Sequence, residues 1–348
     1  EPSAAARPLL RRVFDAKARN ALRRQQPAQA EACARRAVAA FETVSDQGGL
    51  ARALVILGVA TIHAERPRAQ SCELLERARD IARRCGHVPA QRAALANLIK
   101  LATDIGDAEG AKAMLDEAVA LMPGFENRAT EQAFVGYAFH IHRMRGDDPA
   151  ILVAARRMIE LARGLDERRL LLEAVESTFD DLLRCSGVDE AGAALDEAEA
   201  MMRDEPALAQ SHPDLGFKRA LWHLARQESA PAEAAWQSAA GLPGRRLYSE
   251  VLRACVGARC ALACGDVPQA RQRLQALDPQ CELLVEPLGD VLCAQLALAA
   301  AVGHDEFDAA ARAQPLLASG QLPQALAAEL REALQRFTEG VGKPTGSH

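Results

Sequence analysis

A pattern of small and apolar residues returns about every 40 residues along most of this 348-residue chain. The clearest unit spans residues 91–123 and reads QRAALANLIKLATDIGDAEGAKAMLDEAVALMP. Apolar residues at steps of three and four run up to Gly106-Asp107, which interrupts them, and then resume as far as Pro123. This spacing predicts two amphipathic helices joined by a short turn.

The same unit recurs along the chain. Its small or apolar anchor positions lie near residues 30, 69, 111, 151, 191, 233, 270 and 309. Glycine and proline separate the units, and no alternating apolar and polar stretch is long enough to predict a strand. The sequence therefore predicts an all-α fold of about eight helical hairpins over residues 1–320, a C-terminal capping helix over 321–342 and a disordered tail over 343–348.

These units resemble the tetratricopeptide repeat (TPR) family over roughly residues 8–320. Leu57-Gly58 matches the Leu-Gly pair of a first helix, and Ala111 matches a small position of a second helix. Two features differ from the family: leucine and alanine mostly replace its aromatic residues, and the period is near 40 rather than 34. Longer units of this kind are similar to the helical arms of MalT-type bacterial regulators. The resemblance implies an α-α superhelix, a TPR-like solenoid.

In the TPR family the first helix of each pair lines a concave groove. The resemblance therefore implies a groove that binds a partner. The candidate groove residues are Asn97, Lys100, His140, Arg143, Glu176, Asp180, Lys218, Trp222 and Arg259. Each of them also fits an ordinary solvated helix face. Trp222 fits a partner anchor and a core residue equally well, whereas Trp236 is expected in the core.

Composition restricts the classes of partner. The net charge of −5 and pI of about 6.0 argue against direct binding of nucleic acid. No apolar run approaches the length of a membrane span. Nine cysteines, an odd number without a CxxC motif, are typical of reduced thiols in a cytoplasmic protein. The recurring arginine doublets fit solvated helix faces paired with nearby carboxylates, or a docking site for an acidic partner.

The sequence carries little that indicates catalysis. It lacks the HExxH, GxSxG and GxxxxGK[ST] motifs. His140 and His142 point to different faces of one helix, so they are poorly placed to share a metal. Cys260 and Cys264 share a face, which fits either a metal site or a tight interface of small residues. We therefore expect no enzymatic activity, no cofactor and no metal.

The leading hypothesis is a cytoplasmic scaffold that binds a protein or peptide in a groove. The alternative is a ligand-sensing or regulatory arm of a larger bacterial signalling ATPase or transcription regulator. The start at Glu1, without methionine, leads us to expect a fragment or a processed form. The preference for arginine over lysine indicates a GC-rich, bacterial source. The identity of the partner, the pathway and the oligomeric state stay open.

Overall fold

A computed structural model describes residues 7–121, 128–165, 167–212, 214–241, 247–277 and 285–341. Within these ranges all the regular structure is helical, which confirms the all-α prediction. The helices are α1 (Arg7–Arg23), α2 (Pro27–Glu42), α3 (Gln47–His63), α4 (Arg68–Cys85), α5 (Val88–Asp104), α6 (Ala108–Ala120), α7 (Arg128–Arg145), α8 (Asp148–Gly164), α9 (Arg168–Cys185), α10 (Val188–Asp204), α11 (Pro206–Ser211), α12 (Asp214–Ala225), α13 (Ser229–Ala240), α14 (Leu247–Ala263), α15 (Val267–Gln275), α16 (Val285–Val302), α17 (Ala309–Ser319) and α18 (Gln324–Val341).

The described helices form hairpins in chain order. The pairs are α1/α2, α3/α4, α5/α6, α7/α8, α9/α10, α12/α13, α14/α15 and α16/α17, and α18 packs on α16. This arrangement confirms the predicted series of about eight hairpins followed by one helix. The chain forms two compact units, residues 1–130 and 131–348, which we call unit 1 and unit 2. The boundaries predicted at 320 and 342 stay predictions, and the tail lies outside the described residues.

The hairpin turns share one backbone device, a residue in the left-handed region. Glycine occupies this position at Gly106, Gly146, Gly187 and Gly265, with φ between 66° and 93°. The corresponding turns of three other hairpins place Gln25, Glu65 and Gln227 there, with φ between 54° and 61°. Because only glycine adopts this conformation without steric cost, the recurring glycines follow from the turn geometry.

The aspartate after the turn glycine begins the next helix. The Asp107 carboxylate accepts a hydrogen bond from the Gly110 backbone N–H at 2.9 Å, and Asp266 accepts one from the Gln269 N–H at 3.0 Å. An N-cap side chain of this kind satisfies a backbone donor that the helix leaves unpaired. The Gly-Asp dipeptide thus ends one helix and starts its partner.

Small residues let neighbouring helices approach closely, which explains the low aromatic content. In unit 1, a Cβ built on Gly58 would lie 2.8 Å from Cγ of Leu75 on the facing helix. The core around this contact consists mainly of buried alanine and leucine, which are also strong helix formers. Within the described ranges, no helix is long and apolar enough to cross a membrane.

Arginine–carboxylate pairs connect successive hairpins of unit 2 about one repeat apart. Arg156 bonds Glu190 at 2.8 Å across 34 residues, and Arg271 bonds Glu306 at 2.7 Å across 35 residues. These exposed pairs add little stability each, because water and salt screen charges at the surface. They match the interpretation of the arginine doublets as solvated faces paired with carboxylates of the same chain.

Candidate partner-binding surface

Charged side chains from several helices of unit 2 converge on one surface, which we call the inner face. Its residues are Arg143 on α7, Glu176, Asp180 and Asp181 on α9, Asp214 and Lys218 on α12, Arg259 on α14, Glu286 and Asp290 on α16, and Glu329 on α18. All but one of these helices are the first helix of their hairpin. Residues four apart on a helix share one face, so each helix can present two of its charges to this surface.

Arg143 connects helices that are far apart in sequence. Its Nε atom lies 2.8 Å from the Asp181 carboxylate, and its guanidinium donates to Glu286 at 3.0 Å, across 143 residues. Burial alone would lower the pKa of Arg143, but the charges of Glu286 and Asp181 outweigh it and raise the pKa above its ordinary value. Since α7 and α16 belong to hairpins separated by three others, unit 2 curves enough to bring them together.

Lys218 and Asp214 lie side by side beneath this surface. Lys218 is buried and its ammonium group pairs with Asp180 on α9. Asp214 is only 3% exposed. Burial raises the pKa of Asp214; a hydrogen bond with Ser249 opposes the rise, and the neighbouring Glu176 carboxylate adds to it. The Asp214 Oδ1 atom is buried and has no hydrogen-bond partner among the described residues.

A histidine adjoins the same carboxyl groups. Nδ1 of the buried His212 lies 2.9 Å from Oε2 of Glu176. The other ring nitrogen, Nε2, is buried and has no partner among the described residues. The carboxylate of Glu176 therefore lies between an imidazole and a second carboxyl group, that of Asp214.

Asp290 carries the largest upward shift of a carboxyl pKa on this face. Burial raises its pKa to about 8, together with the negative charges of Glu286, Asp180 and Glu329. The ammonium group of Lys218 offsets only part of this rise. Asp290 nevertheless retains part of its solvent-accessible surface. At neutral pH most molecules hold a proton on this carboxyl group.

The inner face has more acidic than basic groups. Its seven carboxyl groups accompany three cationic side chains, Arg143, Lys218 and Arg259. Next to the face, Arg184 on α9 pairs with Asp181, and His212 pairs with Glu176. Charge that is partly removed from water interacts strongly with its surroundings. Most of the ionised carboxylates are paired within the chain, Asp181 and Glu286 with Arg143, Asp180 with Lys218 and Glu329 with Arg259.

Four of the nine residues predicted for the groove lie on this face, Arg143, Glu176, Asp180 and Arg259, and a fifth, Lys218, is buried beneath it. His140 lies one turn before Arg143 on α7 and is exposed. Asn97 and Lys100 belong to unit 1, where the Asn97 amide donates to the Ala93 carbonyl and Lys100 pairs with Asp104. Their role in binding stays a prediction.

Trp222 is half-buried against the neighbouring hairpin. Its indole N–H donates to the Val188 carbonyl at 2.7 Å, and a Cβ on Gly192 would lie 2.7 Å from Nε1. Arg219 and Arg226 lie over its ring, with centroid distances of 4.9 and 4.5 Å. These contacts give Trp222 a packing role between hairpins, and its contact with a partner stays a prediction.

Sequence reasoning missed five acidic members of the inner face: Asp181, Asp214, Glu286, Asp290 and Glu329. A signal for some of them was present, because three first helices each carry two charged residues four apart. The pairs are Glu176/Asp180, Asp214/Lys218 and Glu286/Asp290. Recurrence of this spacing at the same place in successive hairpins would have indicated a shared face.

The cysteines of α14 lie in a close helix interface. Burial raises the pKa of Cys260 to about 12, which disfavours the thiolate that a metal needs. The Cys264 thiol donates to the Ser229 carbonyl at 3.6 Å. Next to them, a Cβ on Gly257 would lie 2.6 Å from the indole of Trp236. The small residues of α14 therefore make room for Trp236, which packs against the core but stays partly exposed and is not fully buried as predicted.

Comparisons with known proteins give structural similarity alone. No family model and no curated protein matches the chain. One similar solved structure is a Rap protein complexed with competence and sporulation factor, with 13% identity, coverage of 95% of this chain and 99% of that one, and a TM-score of 0.49. A tetratricopeptide repeat protein from Parabacteroides merdae has 13% identity, 70% and 98% coverage, and a TM-score of 0.35. The Cut9–Hcn1 hetero-tetramer of APC/C has 11% identity, 95% and 85% coverage, and a TM-score of 0.35.

The resemblance to MalT-type arms stays a prediction. The described helices and their order show that the chain is a TPR-like array of helical hairpins.

Proposed function

We propose that this chain is a scaffold that binds a protein or peptide, and that the inner face of unit 2 is its binding surface. The observation that carries the proposal is the convergence of side chains from five first helices and α18 on one surface. A helical array presents such a surface to an extended segment or a partner helix, with contacts spread over several repeats.

Part of this surface is accessible. The side chains of Asp180, Arg259 and Glu329 are between 47% and 49% exposed. Arg259 and Glu329 form only a long pair, 3.5 Å apart, so a partner could separate them at little cost. Arg259 and Glu329 therefore provide exposed charged groups that are not held in a tight pair.

A capture experiment tests the proposal. The double variant His140→Ala/Arg259→Ala removes Arg259 of the inner face and the exposed His140, which lies one turn before Arg143 on α7. The matched control His304→Ala/Arg169→Ala removes the same residue types where their side chains are 66% and 62% exposed. Tagged proteins would be incubated with a lysate of the source cell, and the bound proteins quantified by mass spectrometry.

We expect the inner-face variant to capture at least tenfold less of one specific protein than the wild type does. The control should capture as much of it as the wild type, and both variants should retain the wild-type melting temperature. Equal capture by both variants would contradict the proposed surface. No feature of the described residues favours the alternative of a regulatory arm, which stays a prediction. Cytoplasmic location and the absence of direct nucleic-acid binding also stay predictions from composition.

A further inference from the structure

We propose that the first helices of unit 1 form a groove that binds an acidic amphipathic helix of a partner protein. The floor of this groove is the face of α3 that carries Arg52, Ile56 and Val59, and α1 and α5 lie on either side of it. We call this surface the unit 1 groove. It shares no residue with the inner face of unit 2 and does not depend on the function proposed above.

The helix α3 has one side that its neighbours leave uncovered. It packs between α2 and α4 and also contacts α1 and α5. From Gly49 to Thr61, every residue of α3 is buried except Arg52, Ile56 and Val59. These three residues follow one another at steps of four and three, so they share one helix face. Arg52 is exposed and the two apolar side chains are half-buried, which makes this face a partly apolar floor.

The flank of α1 that borders this floor is basic. Leu22 on α1 and His63 at the end of α3 line one cavity, so the side of α1 that carries Leu22 faces α3. Arg12, Arg19 and Arg23 form a stripe next to Leu22, because steps of seven and four return to one helix face. Arg12 and Arg23 are exposed, and neither has a carboxylate partner among the described residues. They place two unpaired positive charges on the rim of the groove.

The helices of the groove carry little negative charge of their own. Together, α1, α3 and α5 have nine lysines and arginines but only two carboxylates. Both carboxylates are already paired. Asp15 pairs with Arg19 at 2.8 Å, and on α5 the Asp104 carboxylate pairs with Lys100 at 3.0 Å. Arg52 on the floor has no carboxylate partner among the described residues, so it joins the two free arginines of α1 as a third unpaired cation.

An acidic amphipathic helix complements this surface in both charge and polarity. Its carboxylates would pair with the free arginines, and its apolar side chains would cover Ile56 and Val59. A basic segment would be repelled, because unit 1 has 20 lysines and arginines against 15 aspartates and glutamates. A nucleic acid would pair with the arginines but would leave the apolar floor in water, so it fits the groove less well.

The test measures binding of a defined peptide to the full chain. The ligand is a fluorescein-labelled helical peptide with leucine on one face and glutamate on the other. One counterpart carries glutamine in place of every glutamate, and a second carries alanine in place of every leucine. Fluorescence anisotropy would be recorded at low and high salt for the wild type and two variants. Arg23→Gln/Arg52→Gln removes two charges of the groove, whereas Arg83→Gln/Arg84→Gln removes two exposed charges of α4, the second helix of its hairpin.

We expect the acidic peptide to bind, and both counterparts to bind at least about tenfold more weakly. Salt should weaken binding of the acidic peptide, because it screens exposed charges. Arg23→Gln/Arg52→Gln should bind this peptide at least about fivefold more weakly and with a smaller salt dependence, while Arg83→Gln/Arg84→Gln should bind it as the wild type does. Equal binding of the acidic peptide and either counterpart, salt-independent binding, or equal losses in both variants would overturn the inference.

Two further measurements separate the possible explanations. A fluorescein-labelled oligothymidylate that binds as tightly as the acidic peptide, and competes with it, would show a general site for polyanions and would overturn the preference for a helix. The His140→Ala/Arg259→Ala variant should bind the acidic peptide as the wild type does. A loss of peptide binding in that variant would place the peptide on unit 2 and overturn the unit 1 groove. Unchanged partner capture by that variant would contradict only the function proposed for unit 2.

Discussion

The left-handed residue in the hairpin turns should make a measurable contribution to stability. Gly265 has φ of +78°, and a Cβ built on it meets no atom within 4 Å. Gly265→Ala therefore changes the conformational energy of the backbone without creating a steric clash. A non-glycine residue in this region costs about 1–2 kcal/mol. Alanine recovers about 0.4–1 kcal/mol because it restricts the unfolded chain. The middle of these two ranges gives a net loss of about 0.8 kcal/mol.

Gln227 provides the reciprocal change. It occupies the corresponding turn between α12 and α13 with φ of +61°, and its side chain is exposed. Gln227→Gly removes the backbone strain and loses little packing, but it makes the unfolded chain more flexible. The same two contributions with opposite signs predict a gain of about 0.8 kcal/mol.

Urea unfolding followed by circular dichroism would measure both changes. A shifted midpoint with an unchanged slope of unfolding free energy against urea concentration reports a change in stability alone. An altered slope reports lost cooperativity between hairpins. The reasoning predicts a lower midpoint for Gly265→Ala and a higher midpoint for Gln227→Gly. It would be refuted if the glycine substitution lowered the midpoint or if the alanine substitution left it unchanged.

Three other changes test separate parts of the structure. Gly257→Ala would place a methyl group 2.6 Å from the Trp236 indole, so it should destabilise the chain by about 1–3 kcal/mol and shift the tryptophan fluorescence. An unchanged spectrum and melting temperature would contradict the close contact between Gly257 and Trp236. Asp107→Ala should cost about 1 kcal/mol in urea unfolding because the Gly110 N–H loses its acceptor, and a cost near zero would argue against the cap. Asp290 has a folded-state pKa near 8, above its unfolded value, so the wild type should lose stability as the pH rises from about 4 to 8, by at most about 1.4 kcal/mol per pH unit. Asp290→Asn should lose less stability over this range. Equal changes in the melting temperature of both proteins from pH 6 to 8.5 would rule this out.

The repeat could be predicted because each hairpin uses the same local chemistry. Gly106-Asp107 and Gly265-Asp266 end one helix in the left-handed region and cap the next, and this requirement acts within a few residues. The turns that place a glutamine or glutamate in the same conformation lack the Gly-Asp dipeptide, so the sequence did not mark them in this way. The anchors at helical spacing still identified those hairpins, because close helix packing demands small residues at regular positions.

The meeting of Arg143 with Glu286 could not be predicted in this way. Their distance depends on the rotation between successive hairpins, summed over several of them, and small differences in side-chain packing determine that rotation. Whether Trp222 is exposed or packed against a neighbouring hairpin could not be predicted for a similar reason. It depends on Gly192 in the preceding hairpin, which lets the indole approach the helix backbone.

The most direct measurement of the central claim is hydrogen–deuterium exchange of the full chain with and without the captured partner. We expect the partner to slow exchange in the first helices of the hairpins, α7, α9, α12, α14 and α16. Exchange in the second helices, α8, α10, α13 and α15, should be the same with and without the partner. Protection confined to the second helices, or to unit 1, would contradict the assignment of the inner face as the binding surface.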